Sequence, residues 1–221
     1  MADPRVPSAL LLLVVAGGLA SCGGSDESTT ATSDSAGCPP GSEPQPKDVE
    51  LRAAEHVLRP GERATATVAT TCGDFVIELD TKRSPKTSNS FAFMAEQGVY
   101  DDTTFQRIVP GLLIQGGDPT QSGNGDAGYT IVEPPPPNTS YLKDSVGMGK
   151  SGLQPPGTAG SQFFIVTAAD AGLPPDYALL GRVVKGADVV DRIGQLGDPA
   201  SGQTGTPLET VVIKTIKVNE G

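Results

Sequence analysis

Phe105-Gln-Arg-Ile-Val-Pro-Gly-Leu-Leu-Ile-Gln-Gly-Gly-Asp118 sets one arginine, Arg107, and one amide, Gln115, among apolar residues with glycines directly behind them. A cation kept in apolar surroundings is costly unless something uses its charge. Further along, Gly160-Ser-Gln-Phe-Phe-Ile-Val166 is a second apolar run that carries an amide, Gln162. Both runs read as apolar strands.

Outward from these runs, a single domain is expected over 64–221. The stretches 65–70 and 75–80 are β-prone and are separated by Cys72-Gly73-Asp74, which predicts a hairpin. Ser84-Pro85 supplies an N-cap and a first-turn proline. Thr87, Phe91, Met94 and Ala95 then share one helical face, and Gly98 ends the helix. Further strands are expected at 104–108, 112–115, 145–149, 163–167 and 179–184, a second helix at 187–196 and a last strand at 210–218. Short strands with two separated helices fit a mainly β fold: a closed antiparallel barrel of eight strands capped by the two helices.

Composition narrows the chemistry. The 221 residues hold 26 acidic against 16 basic side chains, a formal charge of −10, and no basic block. Phosphate-dominated nucleic-acid binding and docking to anionic lipid are both disfavoured. The lone histidine, His56, precedes the expected barrel. That argues against Ser-His-Asp and Cys-His catalysis and leaves no His/Cys cluster with metal-ligand spacing. Gly123-Asn-Gly-Asp-Ala-Gly128 matches the glycine pattern of dinucleotide sites, but Tyr129-Thr-Ile-Val-Glu and four prolines follow it rather than a helix. No cofactor is expected. A reaction needing no nucleophile, metal or cofactor is favoured by elimination.

The two opening runs together resemble the signature of the cyclophilins, the peptidyl-prolyl cis–trans isomerases, over about 64–219. That resemblance implies that Arg107 is the catalytic donor and that Gln115 contacts substrate and orients the arginine. It implies a proline pocket based on Phe164, joined by Leu112, Leu113 and Leu173, and a backbone groove along Gly149. Gln162 would support the site, and Tyr177 stands where many cyclophilins have histidine. Leu112 occupies a usual phenylalanine position. The chain has no tryptophan; Gly172 stands at the matching position, which implies weak cyclosporin binding. The implied partners are proline-containing unfolded or extended polypeptides, met by a monomer. An alternative keeps the fold with little turnover: a proline-peptide binding module or holdase on the membrane surface, favoured by Leu112 and the missing tryptophan.

The N-terminus carries an address. Its apolar run, Ala9 to Ala20, is too short for the ~20 residues of a membrane span. It ends in Leu19-Ala20-Ser21-Cys22, which resembles the lipobox of bacterial lipoproteins. The resemblance implies that 1–21 is a signal peptide and that Cys22 is diacylated, anchoring the chain on the extracytoplasmic face of the cell membrane. The alternative is an ordinary secretory peptide with a chance cysteine. Residues 22–63 then form a flexible tether and an N-terminal extension, in which Val49, Leu51, Val57 and Leu58 can lie on the domain surface. With Cys22 lipidated, Cys38 and Cys72 remain as an even pair in an oxidising compartment, either as a disulfide or as two free thiols. The whole reads as an isomerase that assists the folding of secreted or envelope proteins.

Overall fold

Alternation of inward apolar and outward polar side chains builds the first hairpin. In β1 (Ala64–Thr70) Ala66 and Val68 are buried, and in β2 (Gly73–Leu79) Phe75, Ile77 and Leu79 are buried. Residues two apart in a strand share a face, so five side chains from two strands reach one core. The computed structural model describes residues 37–39, 41–52 and 54–221. The expected signal segment 1–21, Cys22 and most of the tether lie outside them.

The other strands are β3 (Thr103–Thr104), β4 (Arg107–Val109), β5 (Leu113–Gly116), β6 (Ile131–Val132), β7 (Ser145–Met148), β8 (Thr158–Ala159), β9 (Phe163–Val166), β10 (Leu179–Lys185) and β11 (Val212–Glu220). Nine strands form one antiparallel sheet in the order β3-β11-β1-β2-β10-β7-β9-β5-β4, while β6 and β8 pair separately. This corrects the expected closed eight-stranded barrel. The sheet is curled but open, with β3 and β4 as its unpaired ends.

The cause lies at Phe105-Gln106. The stretch 104–108, expected as one strand, is split there: β3 pairs with β11, and β4 pairs with β5. Phe105 N donates to Val211 O at 3.0 Å, and its ring is buried in the core. The chain therefore leaves one end of the sheet and enters the other without hydrogen-bonding the two together.

Helix α1 (Pro85–Glu96) begins at the expected proline, but Ser84 makes no side-chain cap bond. Glu133 takes that role from a distance, accepting from Lys86 N (3.2 Å), Thr87 N (2.7 Å) and Thr87 Oγ1 (2.7 Å). A carboxylate there also suits the helix dipole. Helix α2 (Ala187–Gly194) buries Val189, Val190 and Ile193. At the centre of the core the Phe163 ring meets Phe91, Tyr100 and Phe105 edge-on, with centroids 5.7, 5.9 and 6.2 Å away.

The extension before β1 lies against the domain. Gly41 N donates to Thr210 O, and Asn89 of α1 accepts from Val57 N and Leu58 N while donating to Glu55 O. This cover explains why residues on every side of α1 are buried. Cys38 and Cys72 form a disulfide across a sequence separation of 34. Restricting the unfolded chain over that separation is expected to stabilise by about 3–4 kcal/mol in the loop-entropy account. Urea unfolding with and without reductant, or of Cys72→Ser, should show a loss of that size.

Candidate active site

Strand register decides which side chains share a surface. Arg107 lies opposite Gln115 across β4–β5, Gln115 opposite Phe164 across β5–β9, and Phe164 opposite Gly147 across β9–β7. The next rank, Ile108, Ile114, Ile165 and Val146, points to the other face and is wholly buried in the main core. Two residues along, Val109, Leu113 and Val166 return to the first face and join Phe164 and Tyr141 in a second apolar cluster. One face of four strands closes the core. The other presents an arginine, an amide and an aromatic ring in a row.

Among the described residues Arg107 is held only by neutral acceptors. Its Nη1 donates to Gln115 Oε1 at 3.1 Å; Nε and Nη2 donate to the Gln203 carbonyl at 3.1 and 3.0 Å. Among the described residues its guanidinium enters no ion pair. Burial pulls its pKa below the ordinary arginine value, yet a guanidinium stays charged in proteins. Two of its N–H groups have no acceptor among the described residues and can take another.

A chain of amides fixes the orientation of Gln115. Its Nε2 donates to Gln162 Oε1 at 2.8 Å, which also accepts from Gln106 Nε2 at 2.9 Å. Gln162 Nε2 in turn donates to Gly123 O and Gly125 O, at 3.1 and 3.0 Å. Because the nitrogen ends are committed to these carbonyls, the Gln115 oxygen must face the guanidinium.

Beside this polar row lies an apolar floor. The Phe164 ring stacks edgewise with Tyr177 and tilts against Tyr141, at centroid distances of 5.4 and 5.9 Å. Leu113 is buried, while Leu112, Leu173 and Tyr177 pack against the same cluster half-exposed. Tyr141 OH donates to Tyr177 O and accepts from Tyr177 N, and burial pushes its pKa up to about 12. Lys150 reaches Asp176 at 2.7 Å and lies 5.5 Å from the Tyr177 ring centroid. Gly149 lies beside Gln162 and Gln115, where a Cβ would sit 3.5 Å from Gln115 Nε2. A groove of about 460 Å³ continues from Gln115, Gly149 and Gln162 past Asn124, Asp126 and Ser161. Burial raises the pKa of Asp126 there against the pull of two backbone N–H groups.

The structure thus brings Arg107, Gln115, Gln162, Phe164 and Gly149 together, with Leu112, Leu113, Leu173 and Tyr177 along the apolar side. Gly172, which the resemblance matches to a tryptophan, is exposed with φ of 62°. A bulky side chain would be strained in that left-handed backbone. Sequence reasoning missed Gln203, whose contribution is a backbone carbonyl with no side-chain signal. It also missed Tyr141, Gln106 and Gly147, which become visible only through register. Among the described residues no group of His, Cys, Asp and Glu could hold a metal.

Comparison with known proteins shows the family. A family model described as "Cyclophilin type peptidyl-prolyl cis-trans isomerase/CLD" matches residues 65–218. The chain is similar to a peptidyl-prolyl cis-trans isomerase-like 1 protein of Neurospora crassa, 36% identical over 154 residues, covering 68% of this chain and 93% of that protein. It is also similar to a probable peptidyl-prolyl cis-trans isomerase B of Mycobacterium leprae, 33% identical over 197 residues. That match covers 82% of this chain and 65% of the relative, more than 65–218 alone can supply. A Cryptosporidium parvum cyclophilin crystal structure aligns with TM-score 0.65 at 27% identity, covering 72% of this chain and 99% of its own.

Gly147 gives this arrangement a sharp test. A Cβ added there would lie 2.5 Å from Phe164 Cζ, inside any tolerable contact. Gly147→Ala is expected to cost about 1–3 kcal/mol of stability through overpacking. Adding Phe164→Leu should restore part of that loss in urea unfolding.

Proposed function

This chain belongs to the family of cyclophilin-type peptidyl-prolyl cis–trans isomerases, and from that premise we propose that Arg107 is its catalytic donor, beside a floor that takes the proline ring. The amide C–N bond resists rotation by about 18–20 kcal/mol. Uncatalysed X–Pro exchange takes on the order of tens to hundreds of seconds. Twisting the bond breaks its resonance and returns a lone pair to the prolyl nitrogen. A donor aimed at that nitrogen binds the twisted state better than either planar isomer, which is what lowers the barrier. Arg107 suits this task because its charge is permanent and its N–H directions are fixed.

Gln115 and Gln162 hold the donor in line, and Phe164 with Leu113 receives the pyrrolidine ring and excludes water. Leu112, Leu173 and Tyr177 border that pocket, and Gly149 leaves room for the peptide backbone. Bound substrates are extended or unfolded proline-containing chains. One of the similar solved structures, a Cryptosporidium parvum cyclophilin, was determined in the presence of the dipeptide Ala-Pro. The observation that carries the reading is a half-buried guanidinium, held by neutral acceptors alone, with free N–H groups beside an apolar ring floor. Weak cyclosporin binding follows from the tryptophan's replacement at Gly172.

Loss of a preorganised donor of this kind costs about 10²–10³ in rate. Arg107→Ala is expected to lower kcat/KM by that factor with the fold intact, and Arg107→Lys to recover little of it. Exchange on an Ala-Pro-containing tetrapeptide, followed by NMR, is the measurement; unchanged turnover in Arg107→Ala would overturn the role.

The setting we propose is the extracytoplasmic face of a cell membrane, where the enzyme, a monomer anchored through Cys22, acts on secreted or envelope proteins as they fold. The lipobox-like Leu19-Ala20-Ser21-Cys22 supports this, as does a disulfide of the kind that persists in oxidising compartments. Labelled palmitate should enter the full-length chain and be lost in Cys22→Ala; equal labelling of the two would remove the anchor.

A further inference from the structure

The loop 118–128 holds no helix or strand, yet two of its carbonyls orient Gln162. Something must keep those carbonyls in place. Part of the answer is internal: the buried Asp118 carboxylate accepts from Gly123 N at 2.6 Å, Gly125 N at 3.0 Å and Thr120 N at 2.8 Å. The rest is external: Thr104 Oγ1 donates to Gln121 Oε1 at 2.9 Å, Ser161 N donates to Asp126 Oδ1 at 3.2 Å, and three more bonds join the loop to the extension that precedes β1.

That extension clasps the loop at three points. Gln121 Nε2 donates to Pro44 O at 3.1 Å, Lys47 N to Pro119 O at 2.8 Å, and Leu51 N to Ala127 O at 2.8 Å. The two segments are in close contact at Gly128, where a Cβ would sit 2.8 Å from Leu51 O. The clasp has its own anchor. Lys47 Nζ donates to Gly98 O at 3.0 Å, to Val99 O at 3.1 Å and to Asp101 O, just past the end of α1. A cation there satisfies carbonyls that the helix end and its turn leave open. None of these bonds touches Arg107 or the apolar floor.

We infer that the extension around Pro44–Leu51 is a positioning element of the isomerase site, clamping loop 118–128 so that Gly123 O and Gly125 O aim Gln162, and through it aim Gln115 at Arg107. The inference rests on the reading of Arg107 as catalytic donor. Its physical content is a continuous set of hydrogen bonds: extension to loop, loop to Gln162, Gln162 to Gln115, Gln115 to Arg107. A donor moved by about 1 Å can lose on the order of 10² in rate, so slack at the start of this chain is felt at its end. The extension is then part of the enzyme rather than a mere spacer between anchor and domain.

The test is a double-mutant cycle on the full chain, with kcat and KM measured separately on an Ala-Pro-containing tetrapeptide. Lys47→Met keeps the aliphatic stem and removes the anchor; it is expected to lower kcat by about tenfold with little change in KM. In a Gln162→Ala background the relay is already cut, so the same substitution should cost less than about twofold. Equal losses in both backgrounds would overturn the inference, because a general loss of stability multiplies regardless of Gln162. Where Lys47→Met reduces the folded fraction, Gln121→Glu, which keeps an acceptor for Thr104 Oγ1 and removes the donor to Pro44 O, carries the same cycle. If Arg107→Ala loses turnover while Lys47→Met and Gln121→Glu do not, the clamp alone fails. If Arg107→Ala keeps full turnover, the catalytic reading fails instead. The side-chain amide NMR signals of Gln115 and Gln162 still report on the clamp in that case: they should move in Lys47→Met, and unmoved signals would overturn it.

Discussion

A positive charge held without a counter-charge is the constraint around which this site is built. Arg107 could have been neutralised by a carboxylate, and the chain is rich in them. Instead its bonds go to an amide oxygen and a backbone carbonyl. A carboxylate would hold the guanidinium more tightly and compete with any weak acceptor brought to it. The prolyl nitrogen of a twisted imide is such an acceptor. Neutral partners position the donor while leaving its field available, and partial burial keeps water from screening it.

That constraint is affordable because of strand periodicity. The rank carrying Arg107, Gln115, Phe164 and Gly147 alternates with a rank of Ile108, Ile114, Ile165 and Val146 that belongs to the core. The same four strands therefore fix the site and bury apolar surface on their other face. A slip of one residue in any pairing would exchange the two faces, placing a guanidinium in the core and an isoleucine in the groove. The register is specified by the core, and the site inherits its geometry from it.

How much of this could be read beforehand follows from the range of each interaction. Arg107 and Gln115 were legible because each is a polar residue in a short apolar run, whereas Phe164 was assigned through the family resemblance alone, since Phe163 beside it is equally aromatic and lies in the core. The β1–β2 hairpin and the start of α1 were legible for the same local reasons, a turn tripeptide and Ser84-Pro85. Closure of the sheet was not. Thr104 to Ile108 holds β-prone residues and no turn residue, enough to pass for one strand, and only pairing with β11 on one side and β5 on the other divides it at Phe105-Gln106. Nor was the cap of α1 legible, since Glu133 lies far away in sequence and displaces Ser84 from the expected bond. Gln203 and Gly147 left no trace because one acts through its backbone and the other through an absent side chain. The extension showed apolar residues without a period, and its role is carried by backbone N–H groups and one lysine.

A division of labour emerges from these observations. Arg107 and Gln115 sit on strands, where packing on both faces fixes them, but the backbone carbonyls that orient the site come from irregular segments. Gln203 belongs to the short 3-10 stretch Pro199–Thr204, and Gly123 and Gly125 to the loop 118–128. Irregular segments open at lower free energy than strands, so acceptors placed there need tethers of their own. Each has one. Asp198 caps the 3-10 stretch by accepting from Ala200 N at 2.8 Å, and Ile108 N donates to Gly205 O at 2.7 Å, tying its far end to β4. Asp118 and the extension before β1 do the same for the loop. Strand geometry alone would place Arg107 on the correct face; these tethered carbonyls determine which way it points.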